Sequence, residues 1–273
     1  MTMARVAAAD VAPQIGVADI LLGHGVRLRY RYQGPETGPA IVLLHGYSDS
    51  SFSFSRIMPL LPSERRVIAP DLRGHGDSDK PAIGYRMADL ADDVIQMIDA
   101  LDVPSAVIVG HSMGSFVAQA IAEQAPQLVS GLVLLSSAPT AANRTMRDLQ
   151  SAVEALIDPV DLGFVRDFQY STIAQPVPDA FMDTAIATSR LMPASIWRQI
   201  IKGMMDYQPQ IPRSSVRVLV IGGARDAVFS VSEQAALARQ YPFARLRLFD
   251  EAGHALHWEQ PEAFVRTLLP FVR

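Results

Sequence analysis

The chain has 273 residues, 49% hydrophobic and 19% charged, enough apolar material for one large core and unlike a disordered or fibrous protein. Lys and Arg number 24 against 28 Asp and Glu, a formal net charge of −4, too mild to suggest a nucleic-acid or anionic-membrane partner. Cysteine is absent, which excludes disulfides, thiolate metal ligands and a Cys nucleophile and fits a reducing compartment.

In chain order, residues 1–18 read as a leader whose alanine-rich stretch is interrupted by Asp10 and Pro13 before a signal-peptide core can form. No run reaches the ~18 apolar residues of a membrane span, so a cytoplasmic protein is expected, acting on a small molecule with no nucleic-acid or membrane partner, as a monomer or homodimer. A hairpin is expected over 19–33, then strands near 40–44, 66–70, 106–110, 131–136, 216–221 and 245–250. Runs such as Ile41-Val42-Leu43-Leu44 and Val218-Leu219-Val220-Ile221 suit strands buried on both faces. Between strands lie helical patterns: over 87–101, Leu90, Val94, Met97, Ile98 and Leu101 recur three and four apart. Further helices are expected over 115–125, 231–240 and 261–269. This alternation predicts an α/β protein with a doubly wound, mostly parallel eight-stranded sheet.

From 138 to 215 the strand signal stops, and amphipathic segments over 145–157 and 179–191 predict a helical cap at 140–213, leaving 19–139 and 214–273 as the core domain. Met146, Met182, Met192, Met204 and Met205 fall there with Phe164, Phe168, Tyr170, Phe181, Trp197 and Tyr207. Most such residues form the cap's own core; Met192, Trp197 and Met204 are the candidates for an apolar pocket wall.

The chemistry is carried by Gly110-His111-Ser112-Met113-Gly114, directly after the apolar run 106–109. A buried strand turning abruptly into a helix holds the residue at the turn in a strained conformation with its side chain free, and flanking glycines are needed because a Cβ there crowds the turn. The plain alternative is a capping serine at a helix entry. A serine nucleophile requires a base and an acid to orient it. Asp226, after strand 216–221, and His254, after strand 245–250, are the candidates, with Asp250 or Glu251 as alternative acids and His257 as the alternative base. Asp226 also fits a turn or helix-capping role. His257, beside Trp258, fits docking of the last helix, and Asp71 and Arg73 fit a buried pair bracing loops.

The order Ser, Asp, His, together with Leu44-His45-Gly46-Tyr47 after one strand and Pro70-Asp71-Leu72-Arg73-Gly74-His75-Gly76-Asp77-Ser78 after another, resembles the α/β-hydrolase family of serine ester-hydrolase type from about residue 20 onward, the cap region excepted. The resemblance implies catalysis by Ser112, His254 and Asp226, an oxyanion hole from the backbone N–H groups of Tyr47 and Met113, and no cofactor or metal. His45, His75 and His111 are then structural or pocket-shaping, with His45 and His111 counted among the pocket candidates. A serine at the nucleophile position excludes the dehalogenase and epoxide-hydrolase chemistry of related scaffolds, since a serine ether would not turn over. Carboxylesterase activity on small, mainly apolar substrates ranks first and lactone hydrolysis, acyl-lactone signals included, second. Carbon–carbon bond hydrolysis, for which Arg190 and Arg198 are candidate anion ligands, ranks third, and cofactor-free perhydrolysis belongs to the same scaffold. A slow-turnover ligand receptor, with Arg144, Arg147 and Arg166 as contact residues, is the reading from another class.

Overall fold

The computed structural model describes residues 14–210 and 216–272. Eight strands run β1 (Gly16–Leu21), β2 (Arg27–Gln33), β3 (Ala40–Leu44), β4 (Arg66–Pro70), β5 (Ala106–His111), β6 (Val129–Leu135), β7 (Val218–Gly223) and β8 (Arg245–Phe249). They form one sheet in the order β1-β2-β4-β3-β5-β6-β7-β8, antiparallel only where β2 meets β1 and β4. β1 begins at Gly16, inside the stretch read as a leader, because Asp19 pairs opposite Arg29 and accepts from the Arg27 and Arg29 guanidinium groups, pinning the hairpin. Residues 1–13 of that leader lie outside the described residues.

Alternation along the central strands divides the core in two. Val42, Leu44, Ile108, Leu132, Leu134 and Val220 join one apolar cluster, and Ile41, Leu43, Val109, Val133, Leu135 and Ile221 the other. The first is covered by α1 (Met87–Ala100), α2 (Met113–Gln124) and α7 (Val231–Gln240), the second by α9 (Pro261–Val272) and the short helical turns around Phe54 and Met58. Both faces of a parallel sheet are thereby removed from water. β7 starts at Val218 rather than 216, where pairing with Leu132 of β6 begins.

Between β6 and β7 lie α3 (Arg144–Glu154), α4 (Leu162–Ser171), α5 (Asp179–Ser189) and α6 (Ala194–Asp206). Asn143 and Asp161 start α3 and α4 by accepting the N–H groups of Met146 and Phe164, each at 2.9 Å, satisfying donors the helices cannot. On α6, Ile196, Trp197, Ile200, Ile201 and Met204 fall on one buried stripe that merges with the first core cluster. Phe181, Met182 and Ala185 of α5 pack on Trp258, in the short helix α8 (Leu256–Glu259). The cap boundary expected at 213/214 falls on residues 211–215, outside the described residues.

Candidate active site

Ser112 sits between β5 and α2 at φ 51° and ψ −115°, a left-handed conformation costly for a residue with a Cβ. Its N–H donates to Leu135 O at 2.9 Å, tying the turn to β6. A Cβ on Gly110 would lie 2.2 Å from Gly114 O, and one on Gly114 2.2 Å from Leu44 O. These two glycines let α2 begin at Met113, two residues before the expected start.

The register of β3 on β5 sets Leu44 beside Gly110, so Tyr47 and Met113 each follow three residues after a paired position, on adjacent strand ends. Neither residue's N–H donates to a described residue. Met113 opens a helix, where free N–H groups and the positive end of the dipole coincide.

Gly223 pairs with Phe249, which brings the loops after β7 and β8 together. His254 Nδ1 lies 2.9 Å from Asp226 Oδ2 and 3.1 Å from Oδ1, with the side chain 4% exposed and that of Asp226 fully buried. Because the carboxylate only accepts, Nδ1 carries the proton and Nε2 is left as a base. Asp226 Oδ1 also accepts the N–H groups of Val228 (2.7 Å) and Phe229 (3.0 Å), so its turn-forming and histidine-orienting roles coexist. Glu251 instead pairs with Arg225, on the surface. The Ser112 hydroxyl makes no hydrogen bond among the described residues; apo nucleophile–base contacts commonly tighten only with substrate.

His45, His111 and His257 are buried and held. His257 Nε2 meets Ser53 Oγ at 3.1 Å and its ring packs on Phe54 and on Phe264 of α9, and burial with the nearby His254 pushes it down to about 3. His45 Nε2 accepts the Leu72 N–H (3.0 Å) and its Nδ1 donates to Gly46 O (2.8 Å). His111 Nε2 donates to His254 O (3.1 Å), and burial above all, then His257 and His254, holds it well below the ordinary histidine value. Asp71 and Arg73 do not pair: Asp71 accepts the N–H groups of Ser51 and Asp77, while Arg73 ion-pairs with buried Asp93 of α1, whose two carboxylate oxygens match its fork.

Two cavities meet at Ser112 and His254. The larger, about 100 Å3, is walled by Tyr47, Thr145, Met146, Leu149, Phe168, Ser171, Thr172, Met204 and Val228. The smaller, about 20 Å3, is walled by Gly46, Tyr47, Asp49, His111, Phe168, Gln169, Thr172 and Trp258. Of the sequence candidates, Met204 and His111 reach these walls, whereas His45, Met192 and Trp197 lie behind them. Trp197 is fully buried against Tyr47, Phe164 and Phe168, and its Nε1 donates to Met192 O. Phe168 and Met146 come from the methionine- and aromatic-rich set of the cap, whereas Asp49, Gln169 and Thr172 were not anticipated. Gln169 had a signal, a polar residue four places from Val165 on the buried stripe of α4. A wider groove of about 460 Å3 near Arg217, Arg245, Arg247 and Arg266 contains none of these residues.

Known proteins carry the same frame. Residues 39–261 match the family model described as alpha/beta hydrolase fold. The chain is 28% identical to an uncharacterized protein of Mycobacterium bovis, over 94% of this chain and 80% of that one. It is 27% identical to 3-oxoadipate enol-lactonase 2 of Acinetobacter baylyi, over 92% and 95%. The esterase EaEST of Exiguobacterium antarcticum superposes with a TM-score of 0.84 at 24% identity, over 93% of this chain and 98% of that one. With eight strands in this order, a serine at the β5–α2 turn and a family match spanning most of its length, the chain belongs to the α/β-hydrolase fold family.

Proposed function

We propose that the protein is a serine carboxylesterase acting on small, mainly apolar esters through an acyl-enzyme. The observation that carries this reading is His254, fixed by Asp226 at 2.9 Å, opening with Ser112 onto one largely apolar cavity. His254 Nε2 takes the Ser112 proton as Oγ attacks the ester carbonyl, Asp226 stabilises the imidazolium, and the Tyr47 and Met113 N–H groups receive the oxyanion. The imidazolium then protonates the departing alcohol, and water activated by His254 releases the acid. Each oxyanion donor contributes about 3 to 4 kcal/mol in comparable chemistry.

The cavity sets a size. An apolar cavity of ~150 Å3 takes benzene, so about 100 Å3 corresponds to roughly four carbons. Short acyl groups fit. Lactone hydrolysis is the second reading, favoured by the same compact pocket, since a small ring presents ester and tethered alcohol together, and by the enol-lactonase among the relatives. Carbon–carbon hydrolysis loses its candidate ligands: Arg190 is exposed and Arg198 donates to Leu156 O.

Steady-state hydrolysis of p-nitrophenyl esters from acetyl to decanoyl, and of a lactone series, tests this. Turnover peaking at acetyl to butyryl supports the reading; equal or greater rates on decanoyl contradict the pocket size, and no ester or lactone turnover contradicts the chemistry.

A further inference from the structure

Beside Ser112, a polar group reaches down from α4. Gln169 is 1% exposed, and its Nε2 donates to Ser189 Oγ (2.7 Å), Asp49 Oδ1 (3.1 Å) and Ser48 Oγ (3.4 Å). Ser189 Oγ already donates to Ala185 O, so it accepts from Gln169, which fixes the amide orientation. Gln169 Oε1 is then a buried acceptor without a partner. His111 is in the same position: its Nε2 proton is committed to His254 O, the ring is neutral, and its Nδ1 is a second buried acceptor without a partner. Asp49 Oδ2 lies 4.0 Å from that Nδ1, beyond a direct hydrogen bond and within reach of one bridging molecule. Asp49, His111 and Gln169 line the chamber of about 20 Å3 shared with Ser112 and His254, room for a single water.

We infer that Asp49, Gln169 and His111 form a seat for the water that deacylates Ser112, with Asp49 as the residue that orients it; this rests on the serine-esterase reading above. Above about pH 7, where Asp49 is ionised, the seat consists of acceptors, so it takes one hydrogen of the water and leaves the other for His254 Nε2 and a lone pair for the acyl carbon. In the step, the water oxygen bonds to the acyl carbon as its proton passes to His254 and the carbonyl π pair moves onto the oxygen facing Tyr47 and Met113. The pair then returns, the bond to Ser112 Oγ breaks, and His254 gives the proton back to Oγ, releasing a carboxylic acid. The chamber excludes a carbon chain, which gives acylation and deacylation separate compartments around one nucleophile.

Stopped-flow mixing with p-nitrophenyl acetate separates the steps, the burst reporting acylation and the linear phase deacylation, with intact mass following the acyl-enzyme. Asp49→Leu removes the acceptor at similar volume, Gln169→Met removes the amide, and Asp49→Asn keeps shape and one acceptor should Asp49→Leu fail to fold. The expected result is an acylation rate within about threefold of wild type and a deacylation rate lower on the order of 10- to 100-fold, with acetyl-Ser112 accumulating. Asp49→Asn lies between. Deacylation within threefold of wild type in folded variants, or equal slowing of both steps, overturns the water seat. So does a variant effect confined to KM for hydroxy- or amino-acyl esters, which would make the chamber a substrate subsite. If wild type forms no acyl-Ser112 at all, the serine reading itself fails, an outcome distinct from a normal adduct with normal variant deacylation.

Discussion

At the scale of single residues, the elbow depends on what is missing from Gly110 and Gly114. Gly114→Ala forces a methyl to 2.2 Å from Leu44 O, and because that neighbour is backbone the strand must move. We expect a loss of about 3 kcal/mol or more in urea unfolding, with activity lost in the fraction that still folds. Asp226→Asn keeps the turn bonds but lets the other His254 tautomer form. Its kcat is expected to fall on the order of 10⁴-fold with little change in stability, checked by ester kinetics beside thermal melting. The glycines, Ser112, Asp226 and His254 were legible because strand-end motifs impose their geometry locally. Asp49 was not, since nothing in a Ser-Asp-Ser run says which side chain turns toward Ser112.

At the scale of elements, α3, α4 and α6 make the pocket. Phe168 and Gln169 are neighbours on α4 that wall the small chamber, and Leu149 comes from α3. Leu149→Phe should narrow the acyl cavity and lower butyryl relative to acetyl turnover by about tenfold, read as a ratio of kcat/KM values. Two helices of this insertion, α3 and α5, could be read from periodicity, but not α4 and α6, nor which apolar residues face Ser112. Trp197 and Met192 looked like pocket residues and instead form the support behind it, because a 3.6-residue period fixes the buried face and not the distance to a site on another element. Trp197, packed edge-on against Tyr47, Phe164 and Phe168, holds α4 and α6 together. Its replacement by Ala is expected to destabilise the protein by about 3 to 5 kcal/mol in chemical denaturation.

At the scale of the whole molecule, the sheet delivers residues from four strand ends to one point and buries titratable groups to do so. The sheet itself was readable from alternating strand and helix patterns, down to its eight strands. The price of that convergence is pH sensitivity. Burial holds His45, His75, His111 and His257 below the ordinary value of 6.5, so the unfolded chain binds more protons and stability falls as pH drops below about 6.5, toward about 3 for His257. Asp49 works the other way. Burial pushes its carboxyl up from 3.8 to about 7, against the Gln169 hydrogen bond, the facing His254 and the Gly46 backbone, so between those values the folded state holds the extra proton and stability falls as pH rises. Asp49→Asn should remove that opposing slope, making the acid side of the stability curve steeper by one proton in urea titrations from pH 4 to 7. Above all of this stands the assignment of Ser112 as the nucleophile. A fluorophosphonate that traps activated serines tests it most directly, followed by intact mass and peptide mapping against residual esterase activity. One equivalent is expected to bind at Ser112, with activity lost in proportion and no labelling of Ser112→Ala. Full ester turnover with Ser112 unlabelled, or in Ser112→Ala, would contradict it.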